Sequence, residues 1–138
     1  MMRTFAVGVL GMMLCFVAPS PAASQEPILS ADEVKKLFEG NTELGEGRKD
    51  EVDTGRRWTA FYAADGSARK REAKGGGVVA GTWFVDPEGR ACFRWEGWDV
   101  AKAPKCDVIA RDGDHYLRVR DGQVRGRIQI QEGNPSGL

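Results

Sequence analysis

From Arg56 onward the chain alternates large apolar residues with small or polar ones, and four turn signals interrupt it: Asp65-Gly66, Pro87-Glu88-Gly89, Asp112-Gly113 and Asp121-Gly122. Period-two alternation places successive side chains on opposite faces of a strand. Asp-Gly between two such runs has the composition of a tight hairpin, whose two turn residues both take positive φ. RRWTAFYA then pairs with SARKREAK, VVAGTWFVD with RACFRWE, and CDVIAR with HYLRVR, and QVRGRIQIQ follows as a last strand. Strands joined in sequence order by hairpins make a meander. The expected fold is mainly β (α+β): an antiparallel meander of about seven strands, from about residue 56 to residue 131, curled into a small barrel or a bent sheet.

One helix precedes it. In LSADEVKKLFEGN, Ser30 and Glu33 form a capping box, and Leu29 and Val34 occupy the positions of a hydrophobic staple. Val34, Leu37 and Phe38 share one face, and Gly40 followed by Asn41 stops the helix in the left-handed region. A helix over 30–40 with so narrow an apolar stripe must pack against the sheet. Between Thr42 and Gly55 the chain is polar, rich in glycine and acids, and without period, which predicts a loop.

The first 24 residues, MMRTFAVGVLGMMLCFVAPSPAAS, carry one charge at Arg3, an apolar run from Phe5 to Ala18, then prolines and small residues. This is the pattern of a secretory signal peptide, and the run falls short of the ~20 residues that span a bilayer. The expected organisation is a signal peptide at 1–23, carrying Cys15 away with it, and a single small periplasmic β-rich domain at 24–138 with no membrane span. The whole chain has 20 basic and 20 acidic residues, so losing Arg3 leaves one net negative charge. Near-neutrality offers no footprint for nucleic acid, and none is expected as a partner.

Cys92 and Cys106 remain after cleavage, in a compartment where thiols oxidise, and a disulfide between them is expected. Closing such a loop is worth about 3 kcal/mol in the chain-entropy model. Two thiolates and a single distant histidine do not complete a metal site, and the spacing is not that of a CxxC redox pair. No metal and no cofactor are expected.

A turn over Pro87–Gly89 sets Val85 opposite Ala91, Trp83 opposite Phe93 and Gly81 opposite Trp95, all on one side, with Gly81 leaving room for the Trp95 ring. Trp58, Trp83, Phe93 and Trp95 are therefore either a filled core or the wall of a pocket. The same reasoning brings Val119 and Val124 to that side with Ile128 and Ile130. It leaves Cys92 on the opposite side, so that reaching Cys106 requires a bulge or a departure from the sheet. With Asp121-Gly122 as the turn, Arg120 faces Gln123, Arg118 faces Arg125 and Tyr116 faces Arg127. This makes an outer basic face of Arg118, Arg120, Arg125 and Arg127. Like charges directly across a sheet are destabilising, so this face needs a counterpart: the acid-rich segment Ser30–Asp53, or an external protein or anionic cell-envelope component. Trp98, central in the loop Glu96–Lys105, is a second candidate contact.

Catalytic chemistry finds little support. His115 is the only histidine and lies in a hairpin. No serine stands in a nucleophile elbow, AKGGGVVAG lacks the lysine and helix of a phosphate loop, and DGDH lacks calcium-loop spacing. No catalytic residue is assigned and a non-enzyme is expected.

The export signal, the helix ending in Gly40-Asn41-Thr42, the central GTW with its acidic turn, the AC-F-RW run, the second cysteine and RDGDHYLR together resemble a family of small periplasmic alphaproteobacterial proteins of unknown function. The resemblance spans nearly all of the chain after the signal and implies localisation and fold. GTW is also similar to the G-x-W of lipocalin-like barrels, although here it lies mid-chain, and GTWFVD with the following G-AC is similar to periplasmic barrel inhibitors of secreted metalloproteases. The expected function is that of an exported, non-enzymatic binding or interaction protein. The alternatives are an inhibitor of a secreted or host hydrolase, inserting QEPILS or the Trp98 loop into a cleft, and a small lipocalin-like binder of apolar ligands.

Overall fold

The computed structural model describes residue 15 and residues 27–98 and 101–138; apart from Cys15, the expected signal peptide lies outside the described residues. The described residues form one helix, α1 (Ala31–Phe38), and eight strands: β1 (Asn41–Lys49), β2 (Val52–Tyr62), β3 (Ser67–Glu72), β4 (Val79–Val85), β5 (Ala91–Trp95), β6 (Lys105–Asp112), β7 (His115–Arg120) and β8 (Gln123–Gln131). Each strand pairs antiparallel with the next, and β1 pairs with β8 to close a barrel. Closure leaves no strand edge unpaired. None of the described helices is long and apolar enough to cross a membrane.

The seven expected strands are all present, and an eighth corrects the expected loop at Thr42–Gly55: β1 and the start of β2 occupy it. The inward positions of β1 are Glu43, Gly45 and Gly47, so apolar alternation is missing from a segment that is nonetheless a central strand. Gly45 is required by Trp58, directly across from it, and Gly47 by the side chains of Thr54 and Arg56 on β2. A Cβ on Gly45 would lie 2.0 Å from Trp58 Cε2, and one on Gly126 of β8 3.1 Å from Trp58 Cη2. The indole lies flat on backbone, and β1 contributes room where other strands contribute bulk.

The helix closes one end of the barrel. Ser30 Oγ accepts from the Glu33 N–H at 3.3 Å and Glu33 Oε1 accepts from the Ser30 N–H at 3.3 Å, the expected capping box. Gly40, at φ +74°, ends the helix and donates its N–H to the Tyr62 carbonyl at 2.7 Å, so the helix stops earlier than residue 40. Val34 and Phe38 are buried; Phe38 meets Tyr62 edge-on at 5.2 Å, and Tyr62 meets Trp83 at 5.6 Å. Just before the helix, the Leu29 N–H donates to the Ile109 carbonyl at 2.9 Å.

The β4–β5 register is as expected, with Gly81 opposite Trp95, Trp83 opposite Phe93 and Val85 opposite Ala91. A Cβ on Gly81 would lie 2.6 Å from Trp95 Cε3. Two hairpins differ from expectation. The β6–β7 turn is Gly113-Asp114, with Asp112 paired to His115. In the β7–β8 hairpin Asp121 and Gly122 both have positive φ, at 51° and 73°, and Val119 pairs with Val124, but a bulge then sets Arg118 opposite Gly126 and Tyr116 opposite Ile128. One inserted residue exchanges the two faces beyond it. Val119 and Val124 accordingly stand on the face opposite the buried Arg118, not in the interior, whereas Ile128 and Ile130 do pack with the core.

That correction also resolves the cysteines. Cys92 and Cys106 are directly opposed on β5 and β6, with Cα atoms 4.0 Å apart, and form the disulfide with no irregularity between their strands.

The fit of Trp58 on Gly45 generates a prediction. Gly45→Ala should lower unfolding stability by about 1–3 kcal/mol, the range for overpacking a filled interior, and shift tryptophan emission as the Trp58 ring is displaced. Gly77→Ala, whose added Cβ meets nothing within 4 Å, should change neither. Denaturant titration followed by fluorescence checks both, and a silent Gly45→Ala would contradict the packing.

Candidate functional site

The end of the barrel opposite α1 is formed by the β1–β2, β3–β4, β5–β6 and β7–β8 connections. Between them a cavity of about 520 Å³ opens inward, walled by Trp58, Phe93, Trp95 and Trp98. Its floor is a buried polar cluster centred on Arg118.

Arg118 is 4% exposed. Its Nε donates to Glu43 Oε1, Nη1 to Asp107 Oδ2 at 3.0 Å and Nη2 to Tyr62 Oη at 3.0 Å; Tyr62 Oη in turn donates to Glu43 Oε2 at 2.6 Å. Asp107 also accepts from Arg120 Nε at 2.7 Å. Two guanidiniums and two carboxylates thus balance, and buried charges persist only when paired in this way. Phe38 and Phe93 each lie 5.1 Å from the Arg118 guanidinium carbon. Burial alone would lower the pKa of Arg118, but Glu43, Tyr62 and Asp107 outweigh it and hold the group well above its ordinary value. Burial, then the neighbouring Glu43, pushes the Tyr62 hydroxyl well above its usual range, so it remains a donor.

Above this floor the cavity is basic. Eight lysines and arginines line it against two acids, Glu43 and Asp107. Several of the cations lie over its rings: Arg56 over Trp58 at 5.3 Å, Lys70 over Trp95 at 4.8 Å and Lys105 over Trp98 at 4.3 Å. Arg56 and Lys70 share one carboxylate, Glu72, at 2.5 and 3.5 Å. Burial lowers the pKa of Lys70, with Glu72 opposing the shift. Burial also lowers that of Lys105, reinforced by the positive charges of Arg120 and Arg125. An arrangement of this kind has the charge and the access that an anion requires: its cations are partly desolvated, crowded by like charges, and open to solvent.

The four arginines expected on one outer face are divided. Because of the β7–β8 bulge, Arg118 lies in the interior and Arg120 on the cavity wall; Arg125 is exposed at the mouth. Arg127 alone of the four is outside the cavity lining, its Nε donating to Asp112 Oδ2 at 3.0 Å. A counterpart from the Ser30–Asp53 segment does exist, but it is Glu43 reaching Arg118 inside the barrel. Of the four aromatics, Trp58, Phe93 and Trp95 face the cavity, whereas Trp83 is core, donating its Nε1–H to the Ala63 carbonyl at 2.8 Å. Trp98 folds back onto Phe93 at 5.9 Å instead of projecting as a contact loop. His115 pairs with Asp114 at 2.7 Å and is not among the cavity residues.

Sequence reasoning missed Glu43, Tyr62, Lys70, Lys105 and Asp107. Glu43 lay in a strand that had no signal, but Asp107 is in phase with inward Ile109 and Lys70 with inward Ala68, and a charge at an inward position was the available sign. Among the described residues, Asp86, Cys92 and Cys106 bring potential ligand atoms within 4.8 Å of one another. The two sulfurs are bonded to each other, and the Asp86 carboxylate accepts from the Arg90 N–H at 2.8 Å and Arg90 Nε at 2.7 Å. These groups form a turn and a crosslink, with no free donor set for a metal.

The division of the arginines is testable by stability. Arg118→Gln should cost about 3–5 kcal/mol, because it removes the counter-charge of the buried Glu43 and leaves Asp107 with Arg120 alone. Arg125→Gln should stay within about 0.5 kcal/mol, as for ordinary surface positions. Equal, small effects in urea titrations would return Arg118 to the surface. Compared with known proteins, the chain matches no family model and no curated protein.

Proposed function

We propose that this is an exported, non-enzymatic binding protein that holds an anionic small molecule in the open end of its barrel. The observation that carries the reading is the cavity of about 520 Å³ in which eight cations face two carboxylates already committed to Arg118 and Arg120. Its size falls within the ~300–1,000 Å³ of small-molecule sites. The buried cluster beneath it and the three tryptophans around it hold the cationic side chains in place before a ligand arrives, which reduces the ordering cost of binding.

Export rests on the N-terminal pattern and agrees with the Cys92–Cys106 disulfide, a bond suited to an oxidising compartment. The inhibitor alternative needs a free segment to enter a cleft. Here Ile28 bridges to Ala110, Leu29 bonds to Ile109, and Trp98 packs on Phe93, which favours the cavity reading.

Two dyes with one ring system separate charge from apolarity. Anilinonaphthalenesulfonate should bind saturably, with an affinity that falls as salt is raised, whereas the uncharged N-phenylnaphthylamine should bind weakly. Tighter binding of the neutral dye would instead make the cavity an apolar-ligand site. Failure of both to bind would remove it as a ligand site.

A further inference from the structure

We infer that the ligand of this cavity is a polyvalent phosphoryl anion, a phosphate ester or pyrophosphate, gripped by cations backed on aromatic rings. The inference rests on the anion-binding reading above and specifies its chemistry. The first observation is what covers the rings. Trp58, Trp95 and Trp98 are overlaid by Arg56, Lys70 and Lys105, and Phe93 by Arg118 and Arg120 at 5.1 and 5.6 Å. A ligand entering the cavity therefore meets ammonium and guanidinium groups first. An acyl or aryl tail would have to displace them from the ring faces, whereas an anion sits on their outer side and keeps each cation–ring contact.

The second observation is the surplus of charge. Glu43 and Asp107 balance Arg118 and Arg120, Glu46 takes Arg48 at 2.8 Å, and Glu72 alone serves both Arg56 and Lys70. Among the described residues, Lys49, Lys105 and Arg125 make no ion pair with a carboxylate. A single carboxylate would leave most of this surplus in place, whereas a multiply charged ligand removes it.

The third is the distribution of donors. Lys49, Arg56, Lys70, Lys105, Arg120 and Arg125 come from six different strands and surround the cavity. A planar carboxylate accepts within one plane. A tetrahedral phosphoryl group presents oxygens in several directions at once, matching a ring of point-charge lysines and forked arginines.

The test uses the full oxidised protein and follows displacement of anilinonaphthalenesulfonate at matched ionic strength. Affinity should rise at least tenfold from inorganic phosphate to pyrophosphate, and again to tripolyphosphate, while octanoate stays weaker than pyrophosphate. Lys105→Gln with Arg125→Gln should weaken pyrophosphate at least tenfold without moving the melting temperature. Glycerol phosphate and vesicles of phosphatidic acid distinguish a free ester from a lipid headgroup: displacement by either supports the assignment, and equal binding to phosphatidylcholine vesicles overturns it. Octanoate competing as well as pyrophosphate also overturns it, as does indifference of pyrophosphate to the double variant. Dye binding that pyrophosphate does not displace overturns this inference and leaves the anion-binding reading standing; absence of both dye and pyrophosphate binding overturns the two together.

Discussion

A guanidinium lies at the centre of this barrel, where a small β-barrel is ordinarily filled by apolar side chains, and the neighbouring structure is arranged around its charge. Arg118 bonds to Glu43 from β1, Tyr62 from β2 and Asp107 from β6, and it lies between rings supplied by α1 and β5. Removing a charge from water is costly, and a buried ion pair often does no better for stability than the apolar residues that would replace it. The effect of this cluster is therefore better sought in architecture. It divides the interior into a closed half, packed by Phe38, Trp83, Ile109 and Ile128 beneath the helix, and an open half that stays a cavity. By sharing Asp107 it also holds Arg120 at the cavity wall.

The glycines of β1 and β8 complete the division. The Trp58 indole can lie along the wall only because Gly45 and Gly126 carry no Cβ, and the cation above it, Arg56, is held by Glu72. Strand closure, ring placement and cation placement thus depend on one another, since the strand that supplies Glu43 to the floor also supplies the space for the wall.

Most of the fold was legible because β2 to β8 combine alternation with turn residues whose φ requirements are specific. The β4–β5 register could be read residue by residue, and with it the inward positions of Phe93 and Trp95. Two features were not legible, for physical reasons. The inward residues of β1 are an acid and two glycines, chosen to fit a partner on another strand, so no local hydrophobic period marks it. In the β7–β8 hairpin the turn was identified correctly but the bulge after it was not, and a single extra residue reversed the faces of Arg118 and Val119. That reversal turned a cluster floor into an expected surface patch and made the disulfide look mismatched with its sheet. The basic character of the cavity was hidden for a related reason. Lys70 and Lys105 occupy inward-phase positions where the expectation is apolar, and only the folded barrel shows that they lie over tryptophan rings.

The central claim is that Arg118 is sequestered inside the barrel with each guanidinium nitrogen hydrogen-bonded, and side-chain hydrogen exchange reads this directly. In a ¹⁵N-labelled sample at mildly alkaline pH, the Arg118 Nε–H should persist as a resolved, slowly exchanging signal with through-space contacts to the ring protons of Phe38 and Phe93, while that of Arg125 is lost to solvent exchange. An Arg118 Nε–H that exchanges as fast as that of Arg125 and shows no contact to either ring would contradict the account.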